Sequence, residues 1–258
     1  ALSERERKRC VVIVSTGDEP PLLRVRAAKV ACTIAEFFRD RGKHVLLMMD
    51  SITRLCHAQR QIGLAAHEPP ATKGFPPSVF ALLPQILERA GKTEKGSITG
   101  FYTVLVEGDD FNEPIPDAVK GISDGHLWLN RKLASRGHYP ALDVSESISR
   151  VRGQVCEPDH LRVARRVLSL IATYNDIEEL VNIGAYVPGA NLEFDLAVQS
   201  RPKILSYLQQ DSAVPCTLAD AKKQLFELVN WIDQIEKVLR TQAASKARPQ
   251  QKPAPPAQ

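Results

Sequence analysis

The chain has 258 residues, 43% of them hydrophobic and 25% charged, and 34 Lys and Arg against 30 Asp and Glu leave a net charge of +4. This composition excludes a disordered chain, and so mild a charge neither demands nor excludes a nucleic-acid partner. No apolar run reaches the roughly 18–20 residues that cross a bilayer, and five widely spaced cysteines (Cys10, Cys32, Cys56, Cys156, Cys216) without a CxxC pair speak against a disulfide framework or a zinc site.

The opening "ALSERERKR" begins at Ala1 and reads like the end of a helix already under way, so the expectation is a chain truncated at its N-terminus. "CVVIVST" (10–16) reads as a buried strand, and 22–43 as a helix with Val25, Ala28, Ala31, Ile34, Ala35 and Phe38 at helical spacing and Gly42 at its C-terminal end. "HVLLMMD" (44–50) is the near-continuous apolar strand expected when helices cover both faces of a sheet. Helices follow at about 51–65 and 78–90, with further strands at 98–108 and 125–130. This alternation predicts a parallel α/β sheet. Beyond Cys156 the pattern turns helical, giving the expected organisation 1–155 α/β, 156–241 helical and 242–258 a disordered Pro/Ala/Gln-rich tail.

The chemistry-bearing stretches are few. In "HVLLMMDSITR" an acid, Asp50, closes an apolar strand at the sheet edge where ligands of α/β folds bind. It suits a Walker B carboxylate holding Mg²⁺ through water, or equally a cap for the next helix. "AGKTEKG" imitates the end of a phosphate loop, but its first glycine would fall at Ile86 and it follows a helix, so it reads as a turn. "YPALDVSESISRVRG" presents Arg150 and Arg152 after a short strand; such a guanidinium either stabilises a transferring phosphoryl group or is a solvated surface charge. "VEGDDFNEP" leaves Asp109 and Asp110 open as nucleotide-proximal or subunit-interface groups, with Glu107 beside them and Glu113 read as part of a turn. Asp18 and Glu19 lie in a loop that two prolines fix before a helix. The six histidines lack metal-ligand spacing, and no Ser–His–Asp or Cys–His set is legible.

Taken in order, "STGDEPPLLRVRAA", "AEFFRDRGKHVLLMMDSITR", "GFPPSVFALLPQILERAG", "GSITGFYTVLVEGDDFNEPIPD", "DGHLWLNRKLASRGHYPALDVSESISRV" and "PGANLEFDLAV" resemble the flagellar and type III secretion export ATPases, relatives of the rotary ATP synthase catalytic subunits, over roughly residues 8 to 210. The resemblance implies a RecA-like parallel sheet core, partial here because the phosphate loop and the catalytic Glu segment precede residue 1, followed by a C-terminal helical domain. It implies ATP and Mg²⁺ as ligands, Asp50 as the Walker B aspartate, and Arg54 near the nucleotide. Arg150 matches the arginine finger that reaches a neighbour's site, and Leu161 and Gln210 fall where relatives contact adenine, although Leu161 is not the aromatic that relatives place there. The implied assembly is a homohexamer at the inner-membrane export apparatus, cytoplasmic and peripheral. Its implied partners are a stator-like regulator, export-gate membrane proteins and chaperone–cargo complexes. The competing readings are a rotary synthase subunit, a hexameric RNA translocase and a catalytically silent interaction module. "TGDEPPLLR" and "VEGDDFNEP" favour the export branch over the synthase, and the Pro-rich "AAHEPPATKGFPPS", with one lysine, is a poor phosphate grip, so no nucleic acid is expected.

Overall fold

The computed structural model describes residues 3–106, 108 and 113–247, the last three (245–247) by their backbone alone. It divides into two compact units, Ala1–Asp124 and Gly125–Gln258.

In the first unit, Ser3 and Glu6 form a reciprocal capping box on a single helical turn, α1 (Glu4–Arg7). Helix α2 (Pro21–Arg39) starts on a proline, whose fixed φ and missing N–H cost nothing in a first turn, and the chain reverses at Gly42, where φ is 77°. Strand β1 (His44–Met49), helices α3 (Ile52–Ala65) and α4 (Pro77–Leu87), strands β2 (Gly91–Lys92) and β3 (Ser97–Tyr102) and helix α5 (Pro114–Ile122) follow. The sheet order is β1-β3-β2. β1 and β3 run parallel in the register Leu47↔Gly100, and β2 pairs antiparallel with β3. Ile98 and Leu47 face the helices and join Cys32, Ile52, Cys56, Val79, Leu83, Ile86 and Ile115 in one core.

Three expectations change here. Residues 10–16 belong to no strand, and Val11, Val12 and Val14 are 58%, 78% and 75% exposed. A strand needs a neighbour for its N–H and C=O groups, and among the described residues no strand pairs with this segment. β1 is packed on one face only, for Leu46 and Met48 are 61% and 73% exposed and Phe101 beside them is 52% exposed. Its unbroken apolar run is therefore half open, where a parallel pair usually has both faces covered. β3 stops at Tyr102 rather than running to residue 108.

The second unit opens with β4 (Gly125–Leu129), α6 (Arg131–Ser135), β5 (Leu142–Ser149) and α7 (Arg152–Val155), then three long helices: α8 (Pro158–Asn182), α9 (Leu192–Leu208) and α10 (Leu218–Ala247). β4 and β5 pair only with each other among the described residues, antiparallel, with a register shift between His126 and Trp128. They therefore extend no parallel sheet. Val144 of β5 packs on the helical core of Val163, Val167, Leu196, Ile204, Leu228 and Ile232. Residues 125–155 fall within this compact unit together with the helices. Helix α9 carries Pro202 in its interior, and Asn191 starts it by accepting N–H bonds from Glu193 and Phe194. α10 runs to Ala247, past the expected 241, because "AASKA" is good helix-forming sequence before Pro249. Of the expected tail, 248–258 lie outside the described residues. Asp195, buried in the first turn of α9, holds the preceding loop: its carboxylate accepts Gly189 N–H at 3.0 and 2.9 Å and the Tyr186 hydroxyl.

Candidate functional site

Parallel register decides what meets at the sheet edge. Met49 stands opposite Tyr102, so Asp50 and Thr103 leave the sheet side by side. Thr103 N–H donates to Met49 C=O (3.1 Å), and Thr103 C=O accepts from Ile52 N–H (2.9 Å). The Thr103 hydroxyl donates to Asp50 Oδ1 at 2.8 Å. Asp50 is exposed, and its Oδ2 has no partner among the described residues. The helix cap is Ser51, only 4% exposed, whose Oγ accepts Arg54 N–H at 3.3 Å. Capping is thus done by the neighbour, and the Asp50 carboxylate faces outward from the C-terminal end of β1. The Arg54 guanidinium, in the first turn of α3, is exposed and without a partner among the described residues.

A second threonine steadies this edge from behind. Buried Thr53 accepts Leu105 N–H at 2.9 Å and donates to Leu105 C=O at 3.3 Å, tying the segment after β3 to the start of α3. That segment leads to the acidic run, of which Glu107, Asp109 and Asp110 lie outside the described residues; Glu113 stands immediately before α5. Neither Thr53 nor Thr103 was read from the sequence. The signal available was a threonine one residue past the second parallel strand, legible only once the register is known.

The other acidic and lysine candidates of this unit serve turns. The Thr16 hydroxyl holds the Asp18 carboxyl below its ordinary range, and Glu19 N–H closes the same turn on Thr16 C=O at 3.2 Å. Gly91 and Lys92 form β2, and Thr93 N–H closes on Gly96 C=O at 2.8 Å, the hairpin expected of a surface turn.

The remaining candidates belong to the second unit. Arg150 directly follows β5 and Arg152 opens α7, both exposed. Leu161 lies half-buried in the first turn of α8. Gln210 follows α9, with its backbone N–H on Tyr139 C=O (2.9 Å) and one N–H of Nε2 on Val214 C=O (3.0 Å), which leaves Oε1 and the second amide N–H of the side chain open among the described residues. A cavity of about 250 Å³ between α6, β5, α8 and α9 is lined by His138, Asp143, Glu178 and Arg201, among others, and by none of the predicted site residues.

No described helix is long and apolar enough to cross a membrane. No group of three His, Cys, Asp or Glu side chains among the described residues could hold a metal by itself. The donor set at the sheet edge is a single carboxylate with one free oxygen. This fits Mg²⁺, which keeps several waters and takes one or two carboxylates together with phosphate oxygens.

Residues 1–149 match the ATP synthase alpha/beta family, nucleotide-binding domain, and residues 156–227 match the T3SS EscN ATPase C-terminal domain. The flagellum-specific ATP synthase of Bacillus subtilis is 50% identical over 227 residues, 88% of this chain and 52% of that protein. The SPI-2 type 3 secretion system ATPase of Salmonella typhimurium is 51% identical over 215 residues, 83% of this chain and 50% of that protein. Among solved structures, the assembled ATPase EscN from the enteropathogenic E. coli type III secretion system superposes with a TM-score of 0.85 at 48% identity, over 88% of this chain and 55% of that one. The chain spans about half the length of the curated relatives it matches. With more than half of its residues under one family and its helical region under the EscN domain, the chain belongs to the ATP synthase alpha/beta family, within the flagellar and type III secretion ATPases.

Proposed function

We propose that this chain carries part of an ATPase that couples ATP hydrolysis to flagellar or type III protein export, working as one subunit of a homohexameric ring. The observation that carries the reading is Asp50: a carboxylate at the C-terminal edge of a parallel strand, one oxygen fixed by Thr103 and the other open, within a chain of this family. Asp50 would hold Mg²⁺ through water, with Arg54 as a cation beside the nucleotide. When bound, Mg²⁺ neutralises charge on the β- and γ-phosphate oxygens. Arg150 would act in trans, its guanidinium supplied to a neighbouring subunit where charge builds on the transferring phosphoryl group. Leu161 offers an aliphatic surface for adenine. Gln210 would contribute its Oε1 or the second N–H of its side-chain amide, since one amide N–H is held by Val214 C=O.

Energy released in the ring would act through the helical region on export-gate membrane proteins and chaperone–cargo complexes, under a stator-like regulator, at the cytoplasmic side of the inner membrane. EscN has been solved in complex with its central stalk EscO, and a stalk of that kind suits this ring as well. Flagellar relatives at 50% and 52% identity and secretion relatives at 46% to 52% overlap in identity, so the proposal covers both branches.

The test is Arg150→Ala in the complete gene product. Turnover should fall by roughly 10³-fold or more, the usual worth of an arginine finger, while nucleotide affinity stays within error. Turnover that survives would remove Arg150 from the site, and stimulation of the unmodified protein by RNA would favour a translocase instead.

A further inference from the structure

We infer that Thr103 is a positioning residue for the metal-binding carboxylate: its hydroxyl sets the orientation of Asp50 and so the affinity of the site for Mg²⁺. The inference rests on the reading of Asp50 given above and adds to it a residue on a different strand.

The hydroxyl has a single proton and two acceptors in reach, Asp50 Oδ1 at 2.8 Å and Met49 C=O at 3.4 Å. The nearer acceptor is charged, and charge-assisted bonds are the stronger kind. Thr103 is β-branched, which restricts its χ1, and its backbone is pinned on both sides, to Met49 C=O and to Ile52 N–H. The donor is thus fixed by the sheet, while the acceptor sits on a side chain with freedom to rotate. Once Oδ1 is tied, the plane of the carboxylate is set and Oδ2 is the oxygen left to face a ligand.

Exposure separates this role from a structural one. Thr103 and Asp50 are both solvent-exposed. A hydrogen bond there replaces bonds to water and adds little net stability. The backbone bonds of Thr103 already carry the strand-to-helix connection without the hydroxyl. What the hydroxyl adds is orientation; partners of direct metal ligands typically change metal affinity by about 10- to 100-fold when removed, and Thr103, behind a carboxylate that acts through water, should lie at or below the low end of that range.

The experiment uses the complete gene product and reads the Mg²⁺ concentration that half-saturates two signals: ATP turnover, and the Mg²⁺-dependent gain in affinity for a fluorescent ATP analogue. Thr103→Val keeps the shape and removes the donor. It should raise the half-saturating Mg²⁺ concentration several-fold, up to about 10-fold, in both signals and leave analogue binding in EDTA unchanged. Thr103→Ser should return both signals to wild-type behaviour. An unshifted Mg²⁺ dependence in Thr103→Val overturns the inference, as does an equal shift in Thr103→Ser, or a loss of binding in EDTA that matches the loss with Mg²⁺. Should Thr103→Val fold poorly, Thr103→Cys carries the same comparison with a weak donor of similar size. Asp50→Asn, run in parallel, separates the two levels. If it abolishes the Mg²⁺ effect while Thr103→Val does nothing, only the role of Thr103 falls. If Asp50→Asn keeps the Mg²⁺ effect, the reading of Asp50 falls and takes Thr103 with it.

Discussion

The two units solve the burial of apolar surface differently. In the second, α8, α9 and α10 close on one another around Val163, Ile204 and Ile232, and β5 adds Val144 to the same core. In the first, the helices cover one face of a three-stranded sheet, and the described residues leave Leu46, Met48 and Phe101 open on the other. The candidate site residues follow this division. Asp50, Arg54 and Thr103 gather at the edge of the half-covered sheet, where backbone register rather than packing places side chains. Arg150 and Gln210 instead lie on the surface of a unit whose interior is filled by its own residues. An edge set by register can hold a ligand group with little cost to the core, which is why the Asp50–Thr103 pair is exposed while Ser51, Ile52 and Thr53 beside it are buried.

The sharpest way to break this comparison is to truncate one core and watch the other. Both tryptophans of the chain, Trp128 and Trp231, lie in the second unit, so intrinsic fluorescence follows that unit and far-ultraviolet circular dichroism follows both. Ile52 and Ile232 are each 0% exposed. Ile→Ala at either should cost about 2–5 kcal/mol. Ile232→Ala should move the fluorescence transition in denaturant to lower concentration, and Ile52→Ala should move only the dichroism transition. Equal movement of both signals in both variants would mean that the chain unfolds as a single cooperative body.

How much of this was legible beforehand depends on the range of the interaction. Helices with clear apolar spacing, α2, α3 and α8, were visible because their signal is local. β1 and its terminal Asp50 were visible for the same reason. The pairing of β4 with β5 and the isolation of residues 10–16 were not, because an apolar run states that a segment wants burial and not which edge will pair with it. At the site, Asp50 carried a sequence signature, but Thr103 and Thr53 act through contacts 53 and 52 residues away, which no local spacing encodes.

A finer contrast lies in two tyrosines. In the second unit the Tyr186 hydroxyl donates to buried Asp195, whereas in the first the Tyr102 hydroxyl is buried with no hydrogen-bond partner among the described residues. Tyr186→Phe leaves a buried carboxylate short of a donor and should cost about 1.5–3 kcal/mol, read by the fluorescence transition. Tyr102→Phe deletes an unsatisfied hydroxyl and should stabilise by about 1 kcal/mol, read by dichroism. Burial pushes both phenols up to about 12 from 10.0, with Asp195 adding to the effect at Tyr186. A raised folded-state pKa means that the protonated form is favoured by folding. The stability linked to it is complete below pH 10 and is lost as pH climbs toward 12. Each Phe variant should therefore flatten the alkaline decline of its own unit.

The smallest effect is at acid pH, where the units should behave alike. In the first, Glu36 of α2 accepts from Arg89 Nε at 2.7 Å, and the same guanidinium reaches Thr33 Oγ1 at 3.0 Å. In the second, Glu236 of α10 accepts from Arg240 Nη2 at 2.7 Å and from Arg166 of α8. The Arg89 hydrogen bond holds Glu36 below its ordinary 4.5, and the Arg240 hydrogen bond, with the charges of both arginines, does so for Glu236. A depressed folded-state pKa contributes stability that is whole above 4.5 and is lost as pH falls through the lowered folded values. Glu36→Gln and Glu236→Gln should each cost about 1 kcal/mol or less at neutral pH, since partly exposed ion pairs are screened. Measured down a pH series, the gap between wild type and variant should close below pH 4.5, in dichroism for Glu36 and in fluorescence for Glu236. A gap that persists undiminished into acid would assign the loss to packing of the glutamate stem rather than to its charge.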